Sequence, residues 1–146
     1  MAALKYLVIH CTATPEGRPV SSDEIRHWHT APLSKGGRGW KQVGYTDMIH
    51  LDGKIERLVD NNEDITVDPW EVTNGAKGYN SMSRHIVYVG GLATDGKTPK
   101  DTRTAFQKKA MEQYVKISID VSLMSGLSDI MRLPQRHALL LMFKNG

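Results

Sequence analysis

The stretch Leu4-Lys5-Tyr6-Leu7-Val8-Ile9-His10-Cys11-Thr12-Ala13-Thr14 decides how the chain is read. Residues 4–11 form a short run rich in strand formers and almost free of turn residues, which predicts a buried β-strand. Side chains alternate along a strand, so His10 and Cys11 must point to opposite faces. Thr12-Ala13-Thr14-Pro15-Glu16-Gly17 then reads as a loop leaving the strand's C-terminal end.

Working outward, Ser21 or Ser22 can cap a helix through residues 23–29, with Asp23 and Glu24 in its first turn and histidines near its end. Ile25 and Trp28 share its inner face, which His29 can join. Residues 32–39 are rich in helix breakers and read as a loop. Residues 43–50 and 54–59, joined by Leu51-Asp52-Gly53, predict a hairpin whose turn is supplied by the Asp-Gly pair. Residues 61–80 have no period and read as a long surface excursion, which compact domains usually keep for function. Residues 85–90 form another apolar strand and 91–101 a turn region. From 102 to 116 the helical pattern returns, with Phe106, Ala110, Gln113 and Tyr114 on one side and lysines between them. The order β-α-β-β-β-α predicts an α/β fold, a mixed central sheet flanked by helices.

The 146 residues, 40% apolar and 24% charged, fit one soluble globular domain and leave no room for two. Nineteen basic residues against sixteen acidic give a charge of +3. The cations are dispersed and no nucleic-acid motif accompanies them, so no nucleic-acid partner is expected. Cys11 is the single cysteine, which excludes an internal disulfide and fits a reducing compartment. No apolar run is long enough for membrane insertion, and the opening run is too short for a signal peptide, so synthesis in the cytosol is expected.

Several residues have the chemistry for a site. His10 stands near a strand end, where a rigid neutral imidazole can ligate zinc or be hydrogen-bonded in the core. No HxxH or CxxC cluster accompanies it, so spacing alone leaves both roles open. Tyr45 follows Gly44, and its hydroxyl could stabilise negative charge on an oxygen or simply pack in the hairpin. Asn74-Gly75-Ala76-Lys77-Gly78-Tyr79-Asn80 can present backbone donors and an aromatic platform to a sugar or peptide, or form a tight solvent-facing turn. Trp28 reads as core, while Trp40 and Trp70 lie on or beside loops.

Taken in order, these segments resemble one family. Val8-Ile9-His10-Cys11-Thr12-Ala13-Thr14, Glu24-Ile25-Arg26-His27-Trp28-His29, Gly39-Trp40-Lys41-Gln42-Val43-Gly44-Tyr45, Ile49-His50-Leu51-Asp52-Gly53, Ala76-Lys77-Gly78-Tyr79-Asn80 and Val89-Gly90-Gly91 are similar to the motifs of the zinc-dependent N-acetylmuramoyl-L-alanine amidases. The similarity is to the small phage lysozyme-like type, related to peptidoglycan recognition proteins, and covers residues 4–116. It implies a mixed sheet with zinc in a groove and bacterial peptidoglycan as partner. The implied reaction is hydrolysis of the amide between N-acetylmuramic acid and L-alanine, with zinc as Lewis acid. By motif position His10 is the first metal ligand and Tyr45 the assisting tyrosine, with Trp40, Lys77, Tyr79 and Asn80 along the substrate groove. A monomer that waits in the cytosol until lysis is expected. A noncatalytic peptidoglycan-binding module of the same fold is the alternative. Thr46 and Gly75 stand where the family often has histidine.

The larger departure is at the end. After residue 116 the resemblance implies a strand, a glycine-histidine motif with the second ligand, and a cysteine-proline motif with the third. Here the chain reads Ile117-Ser118-Ile119-Asp120-Val121-Ser122-Leu123-Met124; His137 is the only later histidine and there is no later cysteine. A reading-frame slip near Lys116 accounts for this. With one base restored, Asp129-Ile130-Met131-Arg132 can be rewritten Gly-His-His-Glu, and residues 134–145 accommodate a Lys-Ala-Cys-Pro run with cysteine in the slot of Ala138. The 1–116 segment is therefore family-like and 117–146 an atypical tail within a single domain. One protein ligand cannot define a tetrahedral zinc site, so zinc binding is expected to be weak or absent and amidase activity impaired. The tail is also expected to leave one sheet edge bare.

Overall fold

Consecutive buried residues on both faces of one strand set the architecture. The computed structural model describes the backbone of residues 2–3, 6–60, 66–67, 69–73, 80, 83–122, 127–132 and 138–143, and the side chains of 6–60, 69–73, 80 and 83–116. Strands β1 (Ala2–Ala3), β2 (Tyr6–Cys11) and β3 (Thr14–Pro15) precede helix α1 (Ser22–Thr30). The hairpin strands β4 (Asp47–Ile49) and β5 (Ile55–Arg57) follow, then β6 (Thr66–Val67), β7 (Ser83–Tyr88) and β8 (Gly91–Leu92). Helix α2 (Ala105–Ser122) leads to β9 (Leu127–Arg132) and β10 (Ala138–Phe143).

The main sheet has the order β5-β4-β7-β2-β10-β9. Strand β7 runs parallel to both β2 and β4, whereas β5, β10 and β9 pair antiparallel with their neighbours. This is the expected mixed sheet. Alternation divides its faces. Leu7, Ile9, Ile49 and Ile86 pack with Ala110 and Met111 of α2. On the other face Met48, Val87 and Val89 pack with Val20, Val43, Leu58 and Ile25 of α1. Each fully buried aliphatic side chain contributes about 1.5–3 kcal/mol relative to exposure. Because Val8 is opposite His85 and His10 opposite Val87 in the parallel register, His10 and His85 fall on the same, α1-side face.

Polar side chains lock the layers together. Gln107 is fully buried and donates through Nε2 to the carbonyls of Val89 and Ile49, at 3.0 and 3.4 Å. Asp47 accepts from Arg57 Nε at 2.8 Å and from the Tyr114 hydroxyl at 2.6 Å, which ties β4 to both β5 and α2.

The helix expected over 102–116 begins later, at Ala105, because Thr104 and Gln107 form a reciprocal cap: each side chain bonds the other's backbone N–H. It also continues to Ser122, beyond the family-like segment. The hairpin strands are shorter than expected, three residues each, around a turn in which Gly53 adopts φ +86°. The bare sheet edge is corrected outright: the backbone of β10 pairs with β2 from Ala138 opposite His10 to Met142 opposite Tyr6. A ladder needs only backbone donors and acceptors in an extended run, and residues 138–143 supply one whatever the identity of their side chains. Lys77, Tyr79 and His137 lie outside the described residues.

Helix α1 starts at a full capping box. The Ser21 hydroxyl accepts from Glu24 N at 3.2 Å, and Glu24 Oε2 accepts from Ser21 N at 2.9 Å. Ser21→Ala should lower the unfolding free energy by about 1 kcal/mol, read as a fall in urea midpoint with an unchanged slope.

Candidate active site

The sheet face carrying His10 is closed by an aromatic cluster drawn from four segments. Strand β2 supplies His10, β7 supplies His85, and α1 supplies His29 from its last turn. The segment leading into β4 supplies Trp40, Gly44 and Tyr45. His10 Nε2 and His85 Nδ1 are 2.9 Å apart, a buried hydrogen bond between imidazoles. The Tyr45 ring sits between two histidines, with centroids 5.1 Å from His10 and 5.0 Å from His29. Trp40 stacks at a tilt on His29 at 4.8 Å, and the Arg38 guanidinium lies 4.9 Å over the Trp40 ring.

At Gly44 the backbone comes close to this cluster. Its N–H donates to His29 Nδ1 at 2.9 Å, and a Cβ there would stand 3.1 Å from His29 Cε1 and 3.2 Å from Trp40 Cζ3. A backbone N–H can only donate, so Nδ1 of His29 is the lone-pair nitrogen and the neutral ring carries its proton on Nε2.

Burial controls the protonation of the group. His10 is pushed down to about 3, mainly by desolvation and then by the nearby His29 charge. His29 falls to about 4 by desolvation and then through Arg38. His85 lies well below the usual histidine range for the same leading reason, with His10 second. The Tyr45 phenol is raised to about 12, first by burial and then by Cys11. At neutral pH the site therefore holds three neutral imidazoles and a protonated phenol, which can donate a hydrogen bond to an oxygen gaining negative charge.

The structure thus brings together His10, Tyr45 and Trp40, all anticipated from sequence, with Trp40 half-buried. Asn80 is half-buried shortly ahead of β7. Trp28 is partly buried against the α1-side core, and Trp70 is exposed. His85 is a member that sequence reasoning passed over, and His29 was placed on the inner face of its helix without a site role. His29 had a signal in its i+4 spacing from Ile25; His85 had only its place in an apolar strand. Cys11, as alternation requires, lies on the opposite face from His10 and is buried.

Whether these residues fit a zinc ion can be tested on the donors themselves. Among the described residues no group of three His, Cys, Asp or Glu side chains could hold a metal ion. Nε2 of His10 is occupied by His85 and Nδ1 of His29 by Gly44. The described donors therefore do not make a zinc site: His10 stands as a single candidate ligand.

The chain carries the mixed α/β fold of phage endolysins and peptidoglycan recognition proteins. No family model matches it. The endolysin of Klebsiella phage KP32 is 33% identical over 109 residues, 75% of this chain and 62% of that protein. The endolysin of Escherichia phage T7 is 35% identical over 91 residues, 62% of this chain and 51% of its own length. The chain thus spans between half and two thirds of these curated relatives. Among solved structures, the Ph2119 endolysin from a Thermus scotoductus MAT2119 bacteriophage has a TM-score of 0.59 at 25% identity, covering 82% of this chain and 66% of that one. The Apis mellifera protein PGRP-SA has a TM-score of 0.52 at 20% identity, covering 81% and 67%, a likeness of fold.

The lowered histidines make stability depend on pH. Unfolded histidines bind protons below about pH 6.5, whereas His10, His29 and His85 stay neutral in the folded chain. Their contribution is fully present above that value and declines as pH falls toward 4, by up to about 1.4 kcal/mol per pH unit for each histidine. Urea midpoints measured from pH 7.5 to 4.5 should fall accordingly, and His29→Asn should flatten the slope by about one proton.

Proposed function

We propose that the chain is an endolysin-type peptidoglycan hydrolase, of the zinc-dependent N-acetylmuramoyl-L-alanine amidase type by descent, whose activity is impaired in this polypeptide. The observation that carries the reading is the packing of the Tyr45 ring 5.1 Å from that of His10, which joins the two residues the ordered motifs single out. Similarity to phage proteins named endolysins supports the peptidoglycan-hydrolase class, and the substrate is bacterial cell wall.

In this reading Tyr45, held neutral by burial, donates to the oxygen that gains charge as the amide is attacked. Gly44 and His29 hold the segment that carries it. By motif position Trp40, Lys77, Tyr79 and Asn80 are assigned to the substrate groove. His10 is the first ligand of a zinc set whose remaining members the described residues do not supply. The tail from residue 117 is the shifted reading of a segment that encoded them, so the chain is one domain with a family-like part through 116. It is made in the cytosol and meets its substrate at lysis.

The second reading is a noncatalytic wall-binding module. It is favoured by the incomplete donor set among the described residues and by likeness of fold, with a TM-score of 0.54, to a complex of tracheal cytotoxin with peptidoglycan recognition protein ectodomains.

Wall-clearing assays separate the readings. The chain as it stands should sediment with purified cell walls but leave their turbidity at background. A version with the frame restored after Lys116 should clear walls, lose that activity to a chelator, and lose at least about 100-fold with His10→Ala, beyond the range for an outer-shell partner alone. A restored chain that binds walls and never clears them would support the binding module. Clearance by the unaltered chain that ignores both chelator and His10→Ala would contradict the amidase assignment.

A further inference from the structure

His85 has no place in the motifs that single out His10 and Tyr45, yet among the described residues it is the hydrogen-bond partner of the His10 side chain. It is fully buried, its Nδ1 is 2.9 Å from His10 Nε2, and the two rings are tilted by 42° with centroids 5.1 Å apart. The strand register enforces the meeting: His85 is level with Val8 and Val87 level with His10, on the same sheet face. Its remaining nitrogen, Nε2, is buried with no hydrogen-bond partner among the described residues.

We propose that His85 is a positioning residue for His10, accepting a hydrogen bond from His10 Nε2–H and so leaving Nδ1 as the one basic nitrogen of that ring. Two neutral imidazoles meeting through Nε2 and Nδ1 can share the proton in only two ways. If His85 Nδ1–H donates, both rings must adopt the Nδ1–H form. If His10 Nε2–H donates, both rings adopt the Nε2–H form, which a neutral histidine side chain intrinsically prefers. The second arrangement satisfies that preference twice. It leaves a buried N–H on His85 Nε2, a cost of about 1–3 kcal/mol without an acceptor, but the first leaves an unpaired lone pair at the same buried atom. The role matches a general requirement: an imidazole that works through one nitrogen has its proton placed by the hydrogen bond the other makes.

This deepens the proposed function by naming what orients His10, and it rests on that reading only in taking His10 as a working residue. The test uses the full chain labelled with ¹⁵N-histidine, without metal or cell wall, at a pH where the site is neutral. Long-range proton–nitrogen spectra, assigned by loss of signals in His10→Asn, report which nitrogen is protonated. The expected result is a single form of His10 with Nε2 protonated and Nδ1 bare. His85→Val should convert this to a mixture of both tautomers, and His85→Asn, whose Oδ1 can accept the same proton, should retain the single form. His10 protonated on Nδ1 in the wild-type chain overturns the proposal, as does a His85→Val spectrum identical to wild type. If His85→Val does not fold, the wild-type and His85→Asn spectra decide, and Nδ1-protonated His10 in either overturns it. Because neither wall nor metal is present, loss of the hydrolase reading leaves this result standing, and the reverse also holds.

Discussion

The imidazole of His10 can be held in one orientation because β2 is hydrogen-bonded along both edges, by β7 on one side and β10 on the other. A strand so enclosed cannot slip by one residue without turning Val8 and His10 to the α2 face and Leu7 and Ile9 to the site. The apolar residues of both faces therefore fix the register, and the register fixes the site: His85 meets His10 from the neighbouring strand. What remains is closure from α1 and the segment before β4. That closure desolvates the rings and holds them neutral at physiological pH, leaving the Tyr45 phenol as a hydrogen-bond donor in the same cluster.

Most of the fold was legible from local chemistry. The strand-forming composition of residues 4–11 gave β2, the serine–glutamate pair gave the start of α1, and the Asp-Gly pair gave the hairpin turn. Boundaries erred where side-chain bonds, not periodicity, decide them, as at the Thr104–Gln107 cap. The site was only partly legible. His10 and Tyr45 stand in motifs, but the pairing of His10 with His85 spans 75 positions. It follows from strand order, which no local pattern encodes. His29 was visible as a helix-face residue, yet its work comes from the Gly44 N–H, a contact made by a segment with no period of its own.

The tail separates two kinds of information. In the proposed reading, a shifted frame after residue 116 removes the histidine and cysteine the resemblance calls for, whereas the backbone groups that pair with β2 are present. Strand β10 fills the sheet position beside β2 whatever chemistry its side chains carry. A fold can thus outlast a site, because ladders need extended backbone and metal cages need particular atoms.

His10 is proposed as a metal donor without partners enough for a zinc site among the described residues. Metal analysis of the purified chain, dialysed against zinc and then against metal-free buffer, addresses that directly. Far less than one zinc per chain, unchanged by His10→Ala, is the predicted result; one zinc retained per chain would contradict it.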